Sequence, residues 1–398
     1  YLRRAARLQA EKLGSEADAM SALASAMELL PQEPLILDEL APMYQDGERI
    51  VSLAEVLRQQ ILTASDAGEQ AALLHSLGHI YELLAHDKQA IACFENALEI
   101  DPSYSASLKA LDRLYARYEN WEALIRVYVR EAGFTEDAER GADAHVRAAV
   151  IYEERLRDRD SAIDHFGRAL ARVPLHEEAF KALVRLYRHG RRFRDLVELY
   201  DRGAQLATDP PHVIALLFQA AGVWEDALED PGRAAALYRR IIEHDPSNLS
   251  AVQGLQRVTE RSGQYRELIT ALRHELELGA NRSRTLAIHH RIGTVLSDNL
   301  DDPSSAVDHF RKMLELDPTS PAALSALGRI FRSSGRWEEL LDVYQRELIR
   351  ARDPRRAAAL LYKMGELCER CLGRDEEAIT HYRKALEHDD SYRPALRA

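Results

Sequence analysis

The chain has 398 residues, of which 46% are hydrophobic and 30% charged, with a formal net charge of −12. The hydrophobic fraction excludes a disordered chain, the acidic balance argues against a nucleic-acid partner, and no apolar run reaches the roughly 18 residues of a membrane span. Three cysteines cannot build a disulfide framework. We therefore expect a cytoplasmic protein, although a cysteine-poor periplasmic protein would have the same composition.

The stretch Leu74–Pro102 has the pattern of two short helices. Gly78 and Ala90 are small residues that allow two helices to cross closely, and Tyr81 and Phe94 would fill the space beside that crossing. The closing Asp-Pro pair ends the second helix because the residue before a proline is disfavoured in the α region. The stretch therefore predicts a helical hairpin.

The core of the second helix recurs along the chain in steps of 71 or 72 residues. Its alanines are Ala19, Ala90, Ala162, Ala234, Ala306 and Ala378, and the closing prolines are Pro31, Pro102, Pro174, Pro246 and Pro318, with Asp390 in the sixth place. Six copies predict a repeat of about 72 residues, which is long enough for two hairpins.

A second hairpin with a weaker pattern lies between these copies. It has Leu124 where the first hairpin has a small alanine, so we expect its two helices to lie further apart. An aromatic residue at the start of its second helix is expected to fill the gap: Trp121, Phe193, Tyr265 or Trp337. About four residues are inserted after every second hairpin, and their Gly, Pro, Asp and Asn content predicts loops.

The first hairpin resembles a known repeat. Leu74, Leu77, Gly78, Tyr81, Ala90, Phe94, Ala97 and Pro102 are spaced as in the tetratricopeptide repeat. This resemblance implies an all-α fold, a right-handed superhelical α-solenoid of helical hairpins with a 72-residue double-hairpin period. The first helix of each hairpin would line a concave groove. We expect one solenoid, 1–398, with units of about 1–66, 67–137, 138–209, 210–281, 282–353 and an incomplete 354–398. The high Arg and Ala content favours a bacterial gene, and the chain is expected to be a piece of a longer array.

Two charged columns follow the repeat. Glutamates stand at Glu82, Glu153, Glu225 and Glu369, interrupted by Ser297, and arginines stand at Arg113, Arg185, Arg257 and Arg329. Neighbouring helices lie about 8–10 Å apart, so the columns can form ion pairs worth ~0–1 kcal/mol each. Alternatively, together with His75, His79, Lys109 and Lys181, they line a groove that binds a charged peptide. Because Ser297 removes a carboxylate, we expect Arg329 to be a free cation whose reversal to Glu weakens binding more than Arg185→Glu.

The histidines allow fewer interpretations. His75, His79 and Glu82 share one helix face and could form half of a divalent-metal site, although a polar stripe along the groove is the interpretation we favour. Three further histidines are expected at solvated helix positions: His165, His309 and His381.

No sequence pattern indicates catalysis. A glycine-rich phosphate loop is absent, and the Cys368/Cys371 pair lacks the βαβ context of a redox motif. We therefore predict a non-catalytic protein–protein interaction scaffold that binds a protein or peptide segment in its concave groove. No cofactor, metal, nucleic acid or membrane insertion is expected, and the oligomeric state stays open. The alternative is a regulatory or sensor domain of a larger bacterial enzyme, signalling protein or envelope machine whose active part lies elsewhere.

Overall fold

The computed structural model describes residues 47–397, together with Arg4 and Ala22. Residues 47–397 contain twenty α-helices, one π-helical turn and no β-strand, which confirms the all-α class. The expected motif copy at Ala19 and its closing Pro31 lie outside the described residues. The helices are α1 Gly47–Thr63, α2 Ala67–Leu83, α3 Asp87–Ile100, α4 Ser105–Arg117, α5 Trp121–Phe134, α6 Ala138–Glu154, α7 Arg159–Arg172, α8 Glu177–His189, α9 Phe193–Leu206, α10 Pro210–Asp226, α11 Pro231–His244, α12 Leu249–Arg261, α13 Tyr265–Glu277, α14 Arg282–Asp298, α15 Pro303–Leu316, α16 Pro321–Ser333, α17 Trp337–Arg350, α18 Pro354–Leu367, the π turn Cys368–Leu372, α19 Asp375–His388 and α20 Arg393–Arg397.

The chain packs as two units, Tyr1–Leu199 and Tyr200–Ala398. Within each unit, successive helices contact each other in chain order, from α1 to α8 in the first unit and from α10 to α20 in the second. A helix begins at the first residue of each expected repeat unit from 67 onward. The exact 72-residue period and the right-handed superhelix stay predictions. Among the helices of residues 47–397, none is both long and apolar enough to span a membrane.

Close helix crossings hold the first type of hairpin together. A Cβ on Gly78 of α2 would lie 2.6 Å from a ring carbon of Phe94 on α3, and the same relation links Gly293 of α14 to Phe310 of α15 at 2.7 Å. Phe94 is 1% exposed. The predicted role of Gly78 at a close crossing is therefore confirmed, because any larger residue would push the two helices apart.

The residues inserted after every second hairpin extend a helix. Helices α2, α6, α10 and α14 have 17 residues, whereas α4, α8, α12 and α16 have 13. The joints do contain short loops, such as residues 135–137, but the added length lies in the helix that follows, so the prediction that the inserted residues form loops is wrong for that part only. The Asp and Asn residues of these joints are N-caps, whose side chains accept hydrogen bonds from the backbone of the helix that follows: Asp66, Asp137, Asp209, Asn281 and Asp353.

Every turn inside a hairpin contains one residue with left-handed backbone. From the α2–α3 turn to the α18–α19 turn these residues are Ala85, Glu119, Arg157, Arg191, Glu229, Gly263, Asp301, Gly335 and Gly373. Six of the nine are not glycine, with φ between 51° and 58°. An L-residue in this conformation carries a steric cost of about 1–2 kcal/mol, which the packing of the two flanking helices must offset.

Candidate functional site

A cavity of about 860 Å³ lies between α4, α5 and α6 in the first unit. Trp121 and Tyr128 of α5 form its aromatic wall. The guanidinium carbon of Arg155 lies 5.1 Å from the Trp121 ring centroid, and that of Arg147 lies 4.5 Å from the Tyr128 ring centroid. Trp121 is also partly buried against the hydrophobic core, and its role as the residue that fills the gap within the α4–α5 hairpin stays a prediction.

A second cavity, of about 890 Å³, lies between α6, α7 and α8. Its apolar lining includes Phe166 and Val173. Val150, Glu154 and Glu178 line both cavities. We refer to the two cavities together as the α4–α8 groove. Four residues predicted to bind a partner contribute to it: Lys109 lines the first cavity, and Glu153, Lys181 and Arg185 line the second.

The charged side chains of the first cavity are nearly balanced. Glu131, 7% exposed, accepts hydrogen bonds from Arg140 Nε and Arg147 Nη2, both at 2.8 Å. These two bonds join the end of α5 to α6 across the joint between hairpins. Lys109 is exposed and makes no ion pair within residues 47–397, and Arg155 binds the Trp121 ring instead of a carboxylate.

The second cavity has an excess of carboxylates. Its two cations are already paired, Arg185 with Glu153 at 2.8 Å and Lys181 with Glu177. The hydrogen bonds that Arg185 donates to the Glu153 carboxylate raise the pKa of Arg185. The remaining lining carboxylates are exposed and make no side-chain hydrogen bond or ion pair with any other described residue: Glu139, Glu154 and Glu178.

The glutamate and arginine columns pair with each other. Arg113 Nη2 lies 2.6 Å from a carboxylate oxygen of Glu82, and Arg257 Nε lies 2.6 Å from one of Glu225. With the pair of Arg185 and Glu153 described above, this confirms ion pairs between successive hairpins. The carboxylate of Glu369 instead accepts a hydrogen bond of 2.7 Å from the hydroxyl of Tyr382.

Arg329 is not a free cation. Its Nη2 lies 3.0 Å from Oδ1 of Asp298, the residue that follows Ser297 and ends α14. The expectation that Arg329 has no carboxylate partner is therefore wrong, and so is the basis for ranking Arg329→Glu above Arg185→Glu. A long arginine side chain can follow a carboxylate displaced by one helix position, which column spacing alone does not reveal.

His75 is an interior residue. It is 8% exposed, its Nδ1 lies 3.1 Å from the Ser107 hydroxyl, and its ring packs 5.2 Å from that of Phe94. Burial lowers the pKa of His75 to about 4. It is therefore removed from the candidate binding residues, whereas His79 is half-buried. Within residues 47–397, no group of three or more His, Cys, Asp and Glu side chains is arranged to hold a metal ion.

His165 and His309 are not solvated. They are 7% and 8% exposed, and each faces a second buried histidine on the preceding helix. Nδ1 of His165 lies 3.4 Å from Nδ1 of His145, and Nδ1 of His309 lies 3.0 Å from Nδ1 of His289. The prediction of solvated positions is wrong for both residues, and His381 is half-buried. His145 and His289, which share one position in two repeats, were not predicted from the sequence.

The comparisons with known proteins identify the repeat. Family models described as tetratricopeptide repeat match residues 71–104, 323–358 and 360–393, which lie in both units. These segments coincide with helical hairpins of the structure, α2–α3 in the first unit and hairpin segments from α16 to α19 in the second. The chain contains tetratricopeptide repeats.

Its similarity to known proteins covers only part of the chain. It is 25% identical over 149 residues to Superkiller protein 3 of Schizosaccharomyces pombe, covering 37% of this chain and 11% of that protein. It is 32% identical over 98 residues to a probable UDP-N-acetylglucosamine–peptide N-acetylglucosaminyltransferase, SPINDLY, of Hordeum vulgare, covering 23% of this chain and 10% of that protein. The chain thus spans about a tenth of either relative. Among solved structures, the tetratricopeptide-repeat protein YrrB, described as having an unusual peptide-binding site, is 22% identical with a TM-score of 0.29 over 46% of this chain and 89% of its own.

Proposed function

We propose that this protein is a non-catalytic scaffold that binds an extended segment of a partner protein in the α4–α8 groove. The observation that carries the proposal is the pair of cavities with a common wall of Val150, Glu154 and Glu178. Two adjoining cavities of this size can accept successive side chains of one segment, whereas a single isolated pocket would accept only one.

The charges of the groove favour a basic segment. In the second cavity the protein's own cations are neutralised by Glu153 and Glu177, while Glu139, Glu154 and Glu178 have no such partner among the described residues. Lysine and arginine combine an aliphatic stem with a charged end. Such a side chain would place its stem on the apolar lining of the cavity and its charge among these carboxylates.

The test uses two labelled peptides of the same length, one alternating leucine with lysine and one alternating leucine with glutamate. Fluorescence anisotropy measures their binding to the full chain at low and high salt. We expect the lysine peptide to bind more tightly, with an affinity that falls as salt rises. The double variant Glu154→Gln/Glu178→Gln should weaken its binding by about threefold to tenfold, because two partly exposed charge pairs are lost.

A matched control has the same change of net charge outside the groove. Glu122 and Glu136 are exposed and line neither cavity, so Glu122→Gln/Glu136→Gln should leave the affinity within about twofold of the original. Equal weakening by the two double variants would show that the peptide responds only to the overall acidity of the protein. Preference for the glutamate peptide would contradict the proposed partner chemistry.

A further inference from the structure

Two hairpins, one in each unit, contain a pair of buried histidines. In the α6–α7 hairpin the ring centroids of His145 and His165 lie 5.5 Å apart, and in the α14–α15 hairpin those of His289 and His309 lie 5.2 Å apart. All four residues are at most 8% exposed. In both hairpins the two facing atoms are the Nδ1 nitrogens, so the arrangement is the same in two separate places.

The facing nitrogens restrict how many protons each pair can hold. A hydrogen bond between two Nδ1 atoms requires one ring to donate and the other to accept. One extra proton on the Nε2 of the donating ring leaves this bond intact. A second extra proton makes both Nδ1 atoms donors, breaks the bond and places two positive charges side by side in a buried site. The doubly protonated pair is therefore incompatible with the closed hairpin.

We propose that the two histidine pairs make the α6–α7 and α14–α15 hairpins open in mild acid, while the α10–α11 hairpin, which has no histidine at its crossing, stays closed. The open hairpin exposes both imidazoles to water, where each accepts a proton freely. Acid therefore favours the open form through the protons that it binds in excess of the closed form.

The charged neighbours of the first pair do not remove this effect. Asp164, Arg168 and Arg172 of α7 are the charged groups that act on the two imidazoles, and the ring of Tyr152 on α6 stacks on that of His165 with 5.3 Å between centroids. The two arginines outweigh the single aspartate. Burial, the second histidine and these arginines lower the pKa of His145 to about 4, and burial lowers the pKa of His165.

The surroundings of His289 and His309 also disfavour protonation of the imidazoles. Arg273 of α13 and Lys312 of α15 disfavour protonation, whereas Asp308 and Glu315 of α15 favour it. Burial is the largest cause, and it lowers the pKa of His309 to about 4. None of these groups lies on α16, the helix that packs on the far side of α15.

The protein contains its own control for this proposal. In the α10–α11 hairpin the residues at the two corresponding positions, 72 residues after His145 and His165, are Leu217 and Leu237. Both are buried, at 0% and 7% exposure. This hairpin has no histidine pair at its crossing, and the pKa of its buried Glu225 lies below the ordinary value of 4.5. It should therefore not respond to mild acid.

Hydrogen exchange with mass spectrometry on the full chain tests the proposal. Protection factors are measured at about pH 7.5 and pH 5 and corrected for the intrinsic exchange rate at each pH. With a pKa of about 4 in the closed hairpin and about 6.5 in the open one, His145 alone should lower the protection of α6–α7 by about 30-fold. The protection of the α14–α15 hairpin should fall by a similar factor, and that of the α10–α11 hairpin should change by less than about twofold.

The double variant His145→Leu/His165→Leu provides the second measurement, since it places the residues of α10–α11 into α6–α7. We expect its α6–α7 protection to be independent of pH over this range, while α14–α15 still responds. If this variant does not fold, the comparison of α6–α7 with α10–α11 in the original chain still decides the matter. Equal pH dependence of these two hairpins, or an unchanged response of α6–α7 in the double variant, would overturn the proposal.

Discussion

Replacing Arg257 with methionine tests how the ion pairs between hairpins stabilise the fold. The Glu225 carboxylate is 5% exposed and accepts hydrogen bonds from Arg257 Nε at 2.6 Å and Nη2 at 2.9 Å. Arg261 Nη1 at 3.4 Å and the Tyr238 hydroxyl at 3.2 Å remain after the substitution. Arg257→Met keeps the aliphatic part of the side chain, so the loss of stability reports mainly on the Glu225 carboxylate that loses its partner.

The expected magnitude follows from burial. A buried carboxylate that loses its main charged partner costs about 3–5 kcal/mol, but the Arg257 side chain is 56% exposed and two other donors remain. We therefore expect Arg257→Met to lower the free energy of unfolding by about 2 kcal/mol. Arg329→Met is the matched control in the same unit, because the Asp298 side chain is 41% exposed. Its expected cost is at most about 0.5 kcal/mol.

Urea unfolding followed by tryptophan fluorescence measures both losses. Trp224 precedes Glu225 on α10, and Trp337 begins α17, next to the helix that carries Arg329. Each arginine variant is made in a background that retains only the nearer tryptophan, and its midpoint is compared with that background. Losses that differ by less than about 0.5 kcal/mol would refute the reasoning that burial of the carboxylate determines the cost.

The ion pair of Arg257 and Glu225 should also make the free energy of unfolding depend on pH. Hydrogen bonding from Arg257 holds the pKa of Glu225 below its ordinary value of 4.5. Because the pKa is lower in the folded state, the stability from this pair is fully present above pH 4.5 and is lost as the pH falls through the folded value. The difference between the original chain and Arg257→Met should therefore shrink in acid. A difference that stays constant down to about pH 3 would contradict this assignment.

Two further predictions concern buried positions. Gly78→Ala should lower the free energy of unfolding by about 1–3 kcal/mol, because the new Cβ would lie 2.6 Å from the Phe94 ring. Gly167→Ala should raise the free energy of unfolding by about 0.5–1 kcal/mol, because a Cβ there meets nothing within 4 Å. A change of the same sign at both positions would argue against this packing. Glu275→Ala should lower the free energy of unfolding by about 1–3 kcal/mol. This carboxylate is 3% exposed and accepts a hydrogen bond of 2.7 Å from Arg284 Nε across the joint between hairpins. Urea unfolding measures these effects, and an unchanged midpoint for Glu275→Ala would show that the joint does not depend on the Glu275 carboxylate.

The helical class and the pairing of helices could be predicted from the sequence because they depend on local spacing. Small residues such as Gly78 and Ala90 recur at positions where helices must approach closely. The same residues matched the tetratricopeptide repeat, and family models confirmed that match over three segments. The inserted residues were predicted less well. They were predicted to form loops, although a single Asp before good helix formers, such as Asp137, is an N-cap at which a helix begins.

The candidate site could be predicted only in part. Lys109, Lys181 and Arg185 do line the groove, because the first helices of successive hairpins place them there. The burial of His165 could not be predicted from its own helix, since it depends on the facing His145 twenty residues earlier. The pairing of Arg329 was missed because column spacing does not represent the reach of a flexible side chain.

The left-handed residues in the hairpin turns have a practical consequence for engineering this protein. At Ala85, Glu119 and Arg157 a glycine would adopt the observed backbone without the steric cost that the present residue carries. Each turn belongs to one hairpin, and stability in a repeat array is approximately a sum over units and their neighbours. The rigidity of individual hairpins can thus be graded along the chain by single substitutions, which would produce a series of proteins that differ in where they melt first.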